Sequence, residues 1–122
     1  MVSAMASDRR GPAEQLLPLK PADFHILMVL LRGDLHGYGI MQQVSADSDG
    51  QVELEIGSLY RLIARLTEQG LIAESKRRSA GDDRRRYYRI TPLGRQAAAR
   101  EARRLAGVVD LARAHRLLEG LA

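Results

Sequence analysis

Seventeen arginines and two lysines stand among 122 residues, and they are unevenly placed. Arg84, Arg85 and Arg86 run directly into Tyr87-Tyr88-Arg89-Ile90-Thr91; Lys76, Arg77 and Arg78 lie a short way upstream. Arg61 and Arg65 are four residues apart, with Ser58 and Tyr60 beside them. From Pro21 to Tyr60 one basic residue faces six acidic ones, whereas from Arg61 to Thr91 nine face four. A guanidinium is a planar, permanently charged fork of N–H donors that matches phosphate oxygens or the O6/N7 edge of guanine. Arginine concentrated on a small chain points to an anionic partner, most often nucleic acid. The plainer reading of any charge run is a solvated face, so the surrounding elements must decide.

Other chemistry is poorly represented. His25, His36 and His115 are scattered without a partner at metal-ligand spacing. There is no cysteine, which excludes disulfides and thiolate metal sites. Ser58 has no nearby histidine to activate it as a nucleophile. The segment 36-HGYG-39 lacks the strand, lysine and Ser/Thr of a phosphate-cradling loop. The expectation is a non-enzyme with no catalytic residues, no metal and no cofactor.

A chain of this length, 45% hydrophobic, can bury one modest core. The longest apolar run, Ile26 to Leu31, is too short to span a bilayer, and no signal peptide is visible. A cytoplasmic, nucleoid-associated protein is therefore expected. Residues 1–18 are small, polar and proline-punctuated, which predicts a flexible arm. Pro21 suits a helix start, and Phe24, Leu27, Met28 and Leu31 recur at helical spacing up to Gly33. A second, short helix follows over 36–44. Strict alternation in Val52-Glu-Leu-Glu-Ile56 predicts a strand. Next, Ser58 reads as an N-cap, Leu59, Leu62, Ile63 and Leu66 form an apolar stripe, and Gly70 is a C-terminal stop. Residues 72–78 and 84–91 form a hairpin, with Tyr88 and Ile90 on one face and Tyr87 and Arg89 on the other. Thr91-Pro92 then opens a long helix running to about Gly120.

Helix, helix, strand, arginine-bearing helix and basic hairpin is the order of a winged helix-turn-helix. The expected fold is mainly α with a small β-hairpin wing. It comprises the arm (1–18), the winged helix-turn-helix domain (19–91) and a long C-terminal dimerisation helix (92–122). Helix 58–69 would enter a major groove, and the hairpin tip would straddle the adjacent backbone. Along the last helix Ala98, Ala102, Leu105, Val109 and Ala112 recur at 4-3-4-3 spacing, flanked by Val108 and Leu111. That stripe predicts a homodimer in which it packs on the partner's N-terminal elements, with Phe24, Leu27, Met28 and Leu31 contributing.

The motifs 36-HGYGI-40, 57-GSLYRLIARLTEQGLI-72 and 87-YYRITPLG-94 resemble those of the PadR-like transcriptional regulators, over roughly residues 19 to 98. The resemblance implies a homodimeric regulator, usually a repressor, that binds double-stranded DNA at a pseudo-palindromic operator. The single helix after the hairpin is similar to the compact branch with one short C-terminal helix. Carried over by position, Ser58, Tyr60 and Arg61 match the start of the DNA-facing helix, and Tyr38 matches a tyrosine opening the second helix. With Arg65, Lys76, Arg77, Arg78, Arg84, Arg85 and Arg86 they make the candidate DNA-contacting set. Family members that bind aromatic drugs often stack them on tryptophan, and this chain has none. An effector, if one binds, is expected to be small, apolar and lodged at the dimer interface. The alternative reading is a winged helix used as a protein-interaction adaptor without DNA binding.

Overall fold

The computed structural model describes residues 11–76 and 85–120. Pro21 opens α1 (Pro21–Leu30), where a missing N–H costs no helical hydrogen bond. Ile26, Leu27, Val29 and Leu30 are all buried, so this apolar helix is the centre of the core. It packs on α2 (Gly37–Asp47) and on α4 (Pro92–Ala114), while α3 (Ile56–Glu68) packs on α2 and the sheet. Leu59, Ile63 and Leu66 are the buried stripe of α3.

The sheet has three antiparallel strands in the order β1 (Leu35–His36), β3 (Tyr87–Ile90), β2 (Ile72–Ser75). Ile72 pairs with Ile90 and Ser75 with Tyr87, which forms the hairpin base. β1 pairs with the other edge of β3, setting His36 opposite Tyr87. Sequence periodicity misses β1 because two residues carry no alternation. Its presence changes β3: Tyr87 is buried as well as Tyr88 and Ile90. The Tyr87 ring meets His36 edge to face at 5.3 Å.

Four expectations are corrected. Residues 51–55 form no strand, although Val52 and Leu54 pack on the core. Their alternation belongs to an extended segment laid along the core without a neighbouring strand. α3 starts at Ile56, with Glu55 at the N-cap and no side-chain cap, so Ser58 lies inside the first turn. α4 stops at Ala114, not near Gly120: Arg116 takes a left-handed conformation, and Leu117 N–H closes on Ala112 O at 3.0 Å. Arginine thus fills a position where glycine is the usual terminator. Finally, part of the expected flexible arm is anchored. Residues Glu14–Leu16 form a 3-10 turn, Ala13 is buried, and Glu14 pairs with Arg100 of α4. The tip of the hairpin, 77–84, lies outside the described residues.

One joint connects α3, the sheet and α4. Gly70 has φ +79°, and α3 ends in paired reverse bonds, Leu71 N–H to Leu66 O at 2.9 Å and Gly70 N–H to Thr67 O at 3.0 Å. Thr91 caps α4 by accepting from Gly94 N–H at 3.0 Å. The single proton of its hydroxyl is shared between Gly70 O at 2.6 Å and Leu71 O at 3.0 Å. Gly94 is there because a β-carbon would sit 2.1 Å from Leu71 O and 2.7 Å from Ile90 Cγ1. Two turns further on, buried Glu101 accepts from Leu19 N–H at 3.2 Å and from both Nε and Nη2 of Arg104 at 2.9 and 2.7 Å.

Gly94→Ala is expected to lower unfolding stability by about 2–3 kcal/mol in urea, because backbone must move to admit one methyl. A second expectation follows from Glu101. Its Arg104 hydrogen bonds hold the carboxyl below the usual glutamate range, against the opposing effect of burial. A depressed folded value stabilises above the unfolded pKa of about 4.3, and that contribution is lost as pH falls through the folded value. The stability difference between the native chain and Glu101→Gln should therefore narrow as pH is lowered from about 6 to 3 in thermal melts.

Candidate nucleic-acid interface

α3 offers its outward face beside the hairpin base. Tyr60 and Arg61 are exposed on that face, and Ser58 is half-buried in the first turn. Arg61 folds back along the helix, donating from Nη2 to Ser58 Oγ at 3.3 Å. Between α3 and the hairpin runs a groove of about 720 Å³ lined by Tyr60, Arg61, Arg86 and Tyr88, with Glu68 and Glu74 on its walls. Arg86 Nε lies 3.9 Å from the Glu74 carboxylate, so that charge is partly offset.

The groove continues into a cleft of about 480 Å³ where α2 begins. His36 caps α2, its Nδ1 accepting from Gly39 N–H at 3.1 Å. Arg85 Nη1 lies 3.0 Å from His36 Nε2. A neutral imidazole has one accepting nitrogen, so the two donors compete for the ring. Tyr60 lies over the first turn of α2: a β-carbon on Gly37 would come within 2.7 Å of its hydroxyl. Tyr38, 55% exposed, stands at the rim. Tyr88 forms part of the lining, and burial pushes its phenol pKa up, against the pull of Arg86. The cleft therefore gathers two guanidiniums, three tyrosines and the amino end of a helix, a set of donors suited to a phosphate oxygen.

Most of the residues singled out in the sequence converge here. Tyr38, Ser58, Tyr60, Arg61, Arg85 and Arg86 share this surface, and Lys76 is exposed at the end of the described part of the hairpin. Arg77, Arg78 and Arg84 lie outside the described residues. Arg65 also lines the groove, but it has a partner within the protein. Its Nη2 donates to both carboxylate oxygens of buried Asp23, at 2.6 and 2.7 Å, which ties α3 to the first turn of α1. Sequence spacing places Arg65 beside Arg61 but cannot show a carboxylate 42 positions away. His36, noted in the sequence within the motif 36-HGYGI-40, joins the site through a capping role that appears once α2 is formed. Ile56 and Gly57 belong to the first turn of α3, a start that the alternation over 52–56 masks.

Two residues assigned to a dimer surface are instead interior: Leu27 and Ala98 are buried within the protomer. Phe24 and Met28 are half-buried, Leu31 is exposed, and beyond Glu101 the stripe of α4 is open, with Ala102, Val108 and Val109 exposed and Leu105 and Ala112 partly so. No helix among the described residues is long and apolar enough to cross a membrane.

The family model described as the transcriptional regulator PadR-like family matches residues 26–100. The chain belongs to that family. Its match spans the second half of α1, the sheet, the groove and the first part of α4. Among solved structures this PadR-like chain is similar to a transcriptional regulator from Clostridium thermocellum, at 29% identity and TM-score 0.62, covering 75% of this chain and 86% of that one. It is also similar to a PadR family transcription regulator from hypervirulent Clostridium difficile, at 22% identity and TM-score 0.68, covering 79% and 98%. Bacillus subtilis PadR in complex with operator DNA matches at 22% identity and TM-score 0.58, covering 67% of this chain and 46% of that one. The winged-helix fold is common to the set. The protein is a PadR-family transcriptional regulator.

The two arginines of α3 should separate in a stability measurement. Arg65→Ala strands a buried carboxylate and is expected to cost about 2 kcal/mol, allowing for the partial exposure of the pair. Arg61→Ala, on an exposed side chain, should stay within about 0.5 kcal/mol of the native chain in the same urea titration.

Proposed function

We propose that the protein is a homodimeric repressor that binds a pseudo-palindromic operator, with α3 in the major groove and the hairpin on the flanking backbone. The observation that carries this reading is the single groove in which exposed Tyr60 and Arg61 of α3 face Arg86 of the hairpin base. A helix about 10–12 Å across fits a major groove about 12 Å wide. A protein of the same fold, Bacillus subtilis PadR, is solved in complex with operator DNA, which supports the DNA-binding reading. Arg61, near the amino end of α3, is assigned to a base edge, with Ser58 and Tyr60 beside it. Tyr38, Lys76, Arg85 and Arg86 are assigned to phosphates, and the hairpin arginines 77, 78 and 84 join them. Arg65 is reassigned to holding α3 in place. Residues 19–91 act as the DNA-binding domain and 92–122 as the dimerisation element.

The dimer reading rests on the far half of α4, where Val108, Val109 and Leu111 are exposed and lie outside the core formed by the described residues. Small residues among them allow close approach of a second helix. An effector lodged in that interface would be apolar and weakly aromatic, because Leu, Val and Ala line the stripe and the chain has no tryptophan to stack on. Occupation of an operator by such a dimer represses by excluding other proteins from the same DNA.

Binding should be measured by fluorescence anisotropy on a selected operator and a scrambled duplex across a salt series. Arg61→Ala is expected to weaken operator binding roughly 10–100-fold while leaving scrambled DNA nearly unaffected. Lys76, Arg85 and Arg86 changed together to Ala should weaken both duplexes and flatten the log–log salt dependence by about 0.9 for each phosphate no longer neutralised. Indifference to salt would favour a protein-interaction adaptor. In sedimentation, the native chain is expected to be a dimer at micromolar concentration, and Val109→Asp with Leu111→Asp a monomer.

A further inference from the structure

The first turn of α3 contains a residue that nothing among the described residues explains. Gly57 is exposed and helical, and its φ lies outside the left-handed region. Among the described residues, a β-carbon there would meet only Arg61 Nη1, at 3.9 Å. Glycine is the poorest helix former after proline, so a larger residue would serve the free protein better. Beside it Ile56 is 60% exposed, far more than an isoleucine in a packed domain needs. On a helix surface residues four apart are neighbours, which sets Ile56 in the row of Tyr60 and Gly57 in the row of Arg61. The turn thus presents an apolar wall, a bare floor and a guanidinium at one edge.

We propose that Ile56 and Gly57 form a notch that receives the C5-methyl of a pyrimidine in the major groove, adjoining the base edge held by Arg61. This deepens the DNA-binding reading and rests on it. The pyrimidine methyl is the apolar group that base edges offer in the major groove, and thymine or 5-methylcytosine supplies it. Gly57 leaves the space the methyl enters, and a β-carbon would occupy that space. Ile56 covers the methyl from the side, removing both from water. Together with Arg61 the notch would select a methylated pyrimidine next to a guanine.

The test uses the full chain and an operator selected from a random duplex library. Each thymine is replaced in turn by deoxyuridine, and each cytosine by 5-methylcytosine. At one position per half-site the methyl should strengthen native binding about fourfold, as for one buried methylene. That sensitivity should vanish in Ile56→Ala, and the base that carries it identifies the source of the methyl. Gly57→Ala should melt no lower than the native chain yet bind the operator roughly tenfold or more weakly. Methyl sensitivity that survives in Ile56→Ala, or full affinity in Gly57→Ala, would overturn the notch while leaving DNA binding intact. A library that yields no bound duplex would overturn both.

Discussion

Everything that reads outward in this protein is referred to one joint, where Thr91 and Gly94 close on the carbonyls of Gly70 and Leu71. Three elements end or begin there: α3 stops at Gln69-Gly70, β2 leaves from Leu71-Ile72, and β3 passes through Thr91 into α4. Because Thr91 has one hydroxyl proton for two carbonyls, and Gly94 has no β-carbon, the three backbones are held nearer than ordinary side chains permit. The joint, the buried stripe of α3 and the Arg65–Asp23 pair together fix the angle between α3, the hairpin and α4. A two-fold assembly through α4 would carry that angle directly into the spacing of two α3 helices.

The arginines divide by what they touch. Arg65 and Arg104 meet buried carboxylates: Arg65 ties α3 to Asp23 of α1, and Arg104 braces Glu101 on the same helix, whose carboxylate accepts from Leu19 N–H just before α1. Asp23 sits in the first turn of α1, where the helix dipole also favours its charge. Arg61 and Arg86 stay at the surface and face a common groove. The same residue type thus serves as internal brace and as external contact. The distinction lies in where a carboxylate has been buried opposite.

That distinction marks the limit of what the chain's order of residues reveals. The stripe Leu59, Leu62, Ile63, Leu66 and the stop at Gly70 are local, and α3 and its end are legible from them. The hairpin base and the Thr91-Pro92 helix start are legible for the same reason. β1 is invisible because two residues carry no period and acquire strand character only by pairing with Tyr87 and Tyr88. Residues 52–56 mislead in the opposite way, since an extended segment pressed on a core alternates like a strand. The roles of Arg65, Leu27 and Ala98 depend on partners distant in sequence, which spacing cannot supply.

The central claim is that α3 occupies the operator's major groove while the hairpin lies on flanking backbone. Because the chain contains no cysteine, an iron chelate can be attached at a single introduced one, at Ala64→Cys on the outer face of α3 or at Glu74→Cys on the hairpin. Mapping of strand cleavage on a bound operator should show two clusters from position 64, about one helical turn or a multiple apart, each inside a half-site. Position 74 should cut outside those clusters. Cleavage from position 64 that falls outside the half-sites, or coincides with that from position 74, would contradict the account.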